Sequence, residues 1–404
     1  MPVTSHAQEQ DWMPESDQNT KSIAGTSGRR FFWDFALSKN HPHRSNSPRA
    51  NLAFDQYQSG TLEQNLYWVL SGRIDFDASP GTGIGHDHLS IALREAYLTY
   101  NLEQVHLDFG RINIRDGVAL AYNPSDVFRS GSLPTRRTED PSRLRESRLG
   151  LFAVQARTSG SFGHIAGLAA PAISDGLSPT WYDPQLGAVN GREPQLYLKY
   201  TPPRWHDIYT NFIVHRVAKT SSTFAFNLSQ NLGQRWMGYA ELASVNTDTL
   251  NANQTNIWQT KHQYQQAAIG TSYSNEKRQT LSLEYQFNGA GLNQSQWSNE
   301  WQKADGIAIA QRFMRIGRQQ DPLSRESLTA LLQWDQFTSP YDDLTCLYRL
   351  SLVDKSHLQW CEWRYKQDRQ EWSVSLTHLA GPARSEFGAA QQPLTLSAKL
   401  RLFY

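Results

Sequence analysis

The chain has 404 residues, with 39 Lys and Arg nearly balanced by 38 Asp and Glu to give a formal net charge of +1. Its mean hydropathy is −0.61, yet 12% of it is aromatic, including 13 Trp. The charge balance gives no support to nucleic-acid binding, and no window approaches the ~20 apolar residues that a membrane-spanning helix requires. The most apolar run, "IAGLAAPAI" at 165–173, is short and broken by Gly167 and Pro171. Membrane-crossing strands need only ~10 residues each and leave a much weaker trace.

Residues 1–28 are polar and unpatterned and read as a disordered N-terminal segment, in which Ser5-His6-Ala7 resembles the small-x-small end of a secretory signal. From 29 to 404 one design repeats: an alternating run, a tight turn, a second run, then a longer polar stretch. The runs lie near 30–38, 50–58, 63–77, 90–100, 104–114, 148–158, 161–171, 194–201, 206–217 and 222–230. They continue near 235–246, 262–274, 279–288, 305–316, 325–337, 344–353, 357–366, 371–380 and 393–404. Turn formers join pairs of runs at Asn101-Leu102-Glu103-Gln104, Thr158-Ser159-Gly160, Pro202-Pro203, Asn231-Leu232-Gly233 and Asn275-Glu276-Lys277.

Tight turns alternating with long polar segments are the two-ended asymmetry of an outer-membrane barrel. The predicted fold is all-β: a single antiparallel transmembrane β-barrel over 29–404. These nineteen runs exceed by one the even number that such a barrel needs, so about 18 strands are expected, with 16 as the alternative. The runs at 30–38 and within 325–380 are the ones to drop. A β-propeller would repeat every ~40–50 residues, and no such period is present. Helix is expected only as a turn or two inside the long loops.

In "VHLDFGRINI", Val105, Leu107 and Phe109 point one way and His106 and Asp108 the other. The phase slips at Gly110, which reads as a bulge; Ile112 and Ile114 then continue the apolar face while Arg111 and Asn113 turn inward. An interior holding Asp108, Arg111, Lys199, Glu284 and Arg349 suits a water-filled lumen. Tyr67, Trp68, Tyr97, Tyr100, Trp205, Tyr209, Trp236, Trp360, Trp363 and Trp372 fall near segment ends, as interfacial girdles would. Cys346 and Cys361 lie on the apolar faces of consecutive strands, where a cross-strand disulfide and two free thiols both remain open.

The longest non-strand segment, 115–147, carries Arg115, Asp116, Asp126, Arg129, Arg136, Arg137, Glu139, Asp140, Arg143, Arg145 and Glu146, six arginines against five acids. Folded into the lumen, with Arg111 and Arg148 flanking it, this loop would set the field of a constriction and favour anionic or zwitterionic solutes. Left outside, its charges would merely be solvated. The pairs His41/His43 and His86/His88 have a metal-like spacing without further ligands, so no metal site is assigned. His106 and His164 with Ser159 and Ser161 could supply a Ser–His pair, but no feature singles them out, and no catalytic residue is assigned. No nucleotide loop, dinucleotide fingerprint or multi-cysteine cluster is present, and no cofactor is expected. The segment before residue 30 is too short for a TonB-gated plug.

The stretch "LREAYLTYNLEQVHLDFGRINIRDGVALAYNPSDVFR" (93–129) resembles a signature of Gram-negative outer-membrane barrels in porin-like and alginate-export-like families. The matching residues are Leu93-Arg94-Glu95-Ala96-Tyr97-Leu98, Gly110-Arg111 and Asn123-Pro124-Ser125-Asp126; Ile112-Asn113-Ile114-Arg115-Asp116 departs from it, where Gln and Trp are usual. The likeness covers about 40 of 404 residues. It implies a place in the outer membrane of a Gram-negative bacterium, among outer-membrane lipid and lipopolysaccharide. It implies a channel, porin-like or export-coupled, for small or polymeric polar solutes. Some barrels of this kind are proposed partners of inner-membrane exporters. The alternative is a non-conducting barrel whose extracellular loops bind a polysaccharide or a protein. The closing run "PLTLSAKLRLFY" alternates from Leu394 and ends on an aromatic, and it resembles the signal read by the barrel-assembly machinery, with Leu400, Leu402, Phe403 and Tyr404 at its centre.

Overall fold

A computed structural model describes residues 29–41, 49–78, 89–132, 138–173, 185–219, 221–248, 261–303, 320–389 and 393–404. The alternating runs become β1 (Arg29–His41), β2 (Arg49–Glu63), β3 (Leu66–Ala78), β4 (Leu89–Leu102), β5 (Val105–Ile112), β6 (Leu151–Gly160), β7 (Gly163–Ala170), β8 (Gln195–Thr201) and β9 (Ile208–Val217). They continue as β10 (Ser221–Asn231), β11 (Trp236–Asp248), β12 (Lys261–Ser274), β13 (Gln279–Asn288), β14 (Glu326–Asp335), β15 (Asp342–Ser351), β16 (His357–Gln367), β17 (Gln370–Ala380) and β18 (Leu394–Phe403). Three short helices sit in the loops: α1 (Pro141–Glu146), α2 (Gly187–Asn190) and α3 (Gln294–Lys303). Among the described residues no helix is long and apolar enough to cross a membrane.

Each strand pairs antiparallel with its sequence neighbours, and β1 also pairs with β18, so the 18-stranded sheet closes on itself. Closure leaves no unpaired edge, the condition for a sheet to survive in hydrocarbon. The ladder passes directly from β13 to β14, so no wall strand lies between them. The candidate run at 305–316 lies outside the described residues. The runs singled out for removal, near 30–38 and within 325–380, are all strands, because each alternates too briefly to stand out alone but finds two long-paired neighbours.

Alternation decides the two faces. In β8, Gln195, Tyr197 and Thr201 are buried, while Leu196 and Leu198 are exposed. Phe35, Phe212, Phe224, Leu242, Leu283 and Leu396 extend this apolar exterior around the wall. Trp205, Trp236, Trp363 and Trp372 lie exposed near the short-turn end, giving the expected girdle. Trp360 and Tyr97 depart from that expectation. Trp360 shares the inward register of Leu358 and Glu362 and is buried, and Tyr97 packs against an interior cluster.

Three further differences have local causes. The turn expected at Thr158-Ser159-Gly160 falls at Ser161–Phe162, because Ser159 pairs with His164 and Gly160 with Gly163. At Gly110 the ladder keeps its register, and the phase slip is absorbed by a φ of +131° that a side chain would resist. The bulge sits opposite, where the β3–β4 register steps past Arg94. Ile112 is buried against Phe128, Leu149 and Leu151 with Ile114 packed beside it, since the chain leaves the wall there and turns into the lumen. Cys346 and Cys361 are cross-strand partners joined by a disulfide on the exterior face.

Candidate functional site

The charged loop between β5 and β6 lies inside the barrel, and two wall glutamates hold it. Glu241 of β11 accepts from the backbone N–H groups of Val118 (2.5 Å), Ala119 (2.6 Å) and Ser125 (3.0 Å), and from the Ser125 hydroxyl (2.8 Å). Glu284 of β13 accepts from Leu120 (2.7 Å), Ala121 (3.2 Å) and Tyr122 (3.0 Å), and from the Tyr239 hydroxyl (3.0 Å). Both carboxylates are buried, Glu241 entirely. A buried carboxylate is stable only when its oxygens are saturated, and the loop's N–H groups saturate these. The loop has no strand partner for those N–H groups, so the arrangement satisfies both sides.

Arginines complete the docking. Arg129 donates to the carbonyls of Asn123 and Asp126, to Gln266 of β12 and to Asp321. Burial alone would pull its pKa down, but the Asp321 carboxylate beside it holds the guanidinium above its ordinary range. Arg148 pairs with the fully buried Asp126 and reaches Gln320. Arg145 bonds the Ala119 carbonyl and Asn123. Asp116 receives the Tyr197 hydroxyl (2.7 Å) and the Lys199 ammonium (3.0 Å) from β8. Apolar contacts fill the space between: Leu120 packs on Leu331, Leu347, Leu358 and Trp360, while Phe128 and Leu149 pack on Leu168, Tyr197 and Ile213.

The sequence signature is the launching point of this loop. Gly110 lies so close to the Ala96 carbonyl and Tyr97 backbone that a Cβ would collide with them. Arg111 donates to the carbonyls of Gly150 and Gln185 at 2.9 Å each, and the Gly150 N–H returns to the Arg94 carbonyl. Ser125 and Asp126 are the residues caught by Glu241 and Arg148. The motif thus encodes how the chain leaves the wall and re-enters it.

On the opposite side the described residues leave a cavity in the lumen. A cavity of about 390 Å³ is bounded by β1–β4, β17 and β18 on the wall and by the inward loop. Asp34, Asp55, Asp75, Glu146 and Glu371 line it together with Arg73, Arg94, Arg143, Lys399 and Arg401. Arg73 bridges Asp34 (3.2 Å), Asp55 (3.5 Å) and Asp75 (2.9 Å), three neighbouring strands tied by one guanidinium. Arg94, pushed out by its bulge, pairs with Asp55. Arg143 on α1 reaches Glu371 at 2.8 Å, and Arg401 lies 3.4 Å from the same carboxylate. Arg401 also stacks over Phe32, whose ring packs on Phe403.

The charges expected at a constriction therefore divide. Arg143 lines the open cavity; Arg111, Asp116, Asp126, Arg129, Arg145 and Arg148 hold the loop in place. Arg115 lies half-buried in the loop. Asp108 is buried at the short-turn end, bonded to Thr99 and Arg157. Arg136, Arg137, His43, His86 and His88 lie outside the described residues. His106 shares its Nδ1 with the Asn101 side-chain oxygen. Sequence reading passed over Asp34, Asp55, Arg73, Asp75, Glu241 and Glu371, and took Arg94 only as part of the 93–129 signature. Their signal was present as single charges set between apolar neighbours, as in "FWDFAL", "LAFDQY" and "YAELAS".

Neither a family model nor a curated protein sequence matches the chain. Solved structures do. Acinetobacter baumannii OccAB1 superposes with a TM-score of 0.58 at 8% identity, over 95% of this chain and 97% of that one. Pseudomonas aeruginosa OccK11 (OpdR) superposes with a TM-score of 0.53 at 11% identity, over 94% and 95%. These likenesses concern the porin-like barrel fold; the alginate-export-like side of the sequence resemblance gains no support from them.

Proposed function

We propose that the chain is an outer-membrane channel that passes small polar solutes through one mixed-charge passage between the inward loop and the β1–β4, β17 and β18 wall. The observation that carries this reading is the cavity itself, lined by five carboxylates and five cationic side chains where the loop leaves the lumen unfilled. A simple anion entering it meets as many like charges as opposite ones, whereas a solute with both charges pairs with each. The loop's arginines favour a zwitterionic over an anionic preference, because Arg129, Arg145 and Arg148 are engaged in holding the loop. The apolar exterior and closed ladder support placement in the outer membrane. On the same reading, lipopolysaccharide meets the long-loop end and the terminal strand with Phe403 and Tyr404 is what the assembly machinery engages. An exporter partner would dock at the short-turn end.

Swelling of proteoliposomes in isotonic solutes tests the proposal. Glycine should enter faster than a monoanion of similar size. Faster entry of the anion would refute the mixed-charge reading, and no entry of either would favour a surface anchor with binding loops.

A further inference from the structure

A shallow cavity of about 330 Å³ lies on the outside of the wall across β9–β12, away from the passage. Its floor is apolar: Phe212 and Val214 of β9, Phe224 and Phe226 of β10, and Leu242 of β11. The ladder explains the hollow. Phe226 pairs with Leu242, but the next outward pair sets Phe224 against Ser244, so a bulky side chain gives way to a small one. Nearer the long-loop end the same strands turn polar. Ser244 accepts from the side-chain amides of Gln263 (2.7 Å) and Gln265 (3.1 Å) on β12. Arg216 stands one outward position beyond Val214, opposite Ser222, and is exposed. Among the described residues nothing pairs with its guanidinium. On other strands the exposed positions of this half are apolar, as at Leu37, Phe76, Leu196 and Leu396.

We propose that this outer groove is a lipopolysaccharide site, in which one acyl chain lies on the apolar floor and a lipid A phosphate meets Arg216. The proposal rests on the outer-membrane placement argued above, which sets the long-loop end in the leaflet that carries lipopolysaccharide. A guanidinium on a lipid-facing wall needs a counter-charge or must reach for water. Along these strands an apolar floor is followed by a hydroxyl and amide rim and then by a cation. That is the order of acyl chain, ester linkage and phosphate in such a lipid. The guanidinium adds a planar fork of donors that meets phosphate oxygens two at a time. A floor of five side chains is too small for a protein partner, whose stable contact would cover roughly 800 Å² on each side.

Native mass spectrometry of the refolded full chain with diphosphoryl lipid A tests this, with heat-modifiable electrophoretic mobility as the check that each variant is folded. Wild type should retain one lipid A, and Arg216→Gln should weaken retention about fivefold, the effect of one cation at a membrane surface. Lipid A stripped of its phosphates should bind wild type as weakly and should not distinguish it from R216Q. Ser244→Phe, which fills the groove, should weaken retention of both forms of the lipid. Unaltered retention in R216Q, or in S244F, overturns the site, and so does phosphatidylglycerol held as tightly as lipid A. Should R216Q fail to fold, wild type alone decides: equal retention of lipid A with and without its phosphates overturns the proposal. Flotation with phospholipid vesicles separates the two readings. A folded wild type that does not float overturns the membrane placement and the site with it, whereas one that floats without preferring lipid A overturns only the site.

Discussion

Glu241 and Glu284 show how much one wall residue can decide. Each accepts three loop backbone N–H groups, and charge-assisted bonds of this kind contribute about 1.5–3 kcal/mol apiece. Glu284→Gln places an amide N–H₂ among donors and leaves at least one loop N–H without an acceptor, so it should loosen the loop by about 3 kcal/mol. The expected outcome is a folded barrel with a noisier, larger conductance and faster protease cleavage within 115–147 than wild type. Neither glutamate was singled out from the sequence as a loop anchor, although Glu284 was legible as an inward charge. Alternation tells which face a residue occupies. It does not tell which of the lumen's many groups the loop will meet, because that contact joins positions more than a hundred residues apart. Of the six arginines of 115–147, Arg129 and Arg145 anchor the loop and Arg143 lines the cavity, while Arg136 and Arg137 lie outside the described residues, so composition alone does not tell which of them face a solute.

At the scale of elements, period-two alternation was enough to find the strands, and turn chemistry to find most hairpins. Where it failed, a second force acted. Ile112 reads as lipid-facing from alternation alone, but it is the last residue of β5, where the chain turns into the lumen and buries it, and Trp360 reads as a girdle residue only when aromatic type is taken without register. Gly110 is the hinge between wall and loop. Its φ of +131° and its contact with the Ala96 carbonyl predict that Gly110→Ala costs about 3 kcal/mol or more. Refolding yield in detergent should fall sharply for G110A, while Gly167→Ala, where a Cβ meets open space, should refold like wild type. The Cys346–Cys361 disulfide joins two strands already held by nine ladder partners. Its removal in Cys346→Ala/Cys361→Ala should therefore cost less than the ~3 kcal/mol that loop entropy alone would give. Thermal unfolding in detergent should show a shift of only a few degrees.

The whole molecule is a closed wall with an interior divided in two. One side, from β5 round to β16, is filled by the inward loop, its two glutamate anchors and the apolar clusters beneath it. The other side, against β1–β4, β17 and β18, keeps the cavity with its balanced charges. Barrel, closure and polar lumen followed from alternation, the even-strand rule and the terminal strand. The division of the lumen did not, because it depends on where one loop comes to rest. Conductance of the refolded chain in a planar bilayer under a KCl gradient tests this account most directly. A mixed-charge passage should give discrete conductance steps and a reversal potential near zero, since carboxylates and cations line the cavity in equal number. An absence of steps, or a reversal potential at the chloride equilibrium value, would contradict it.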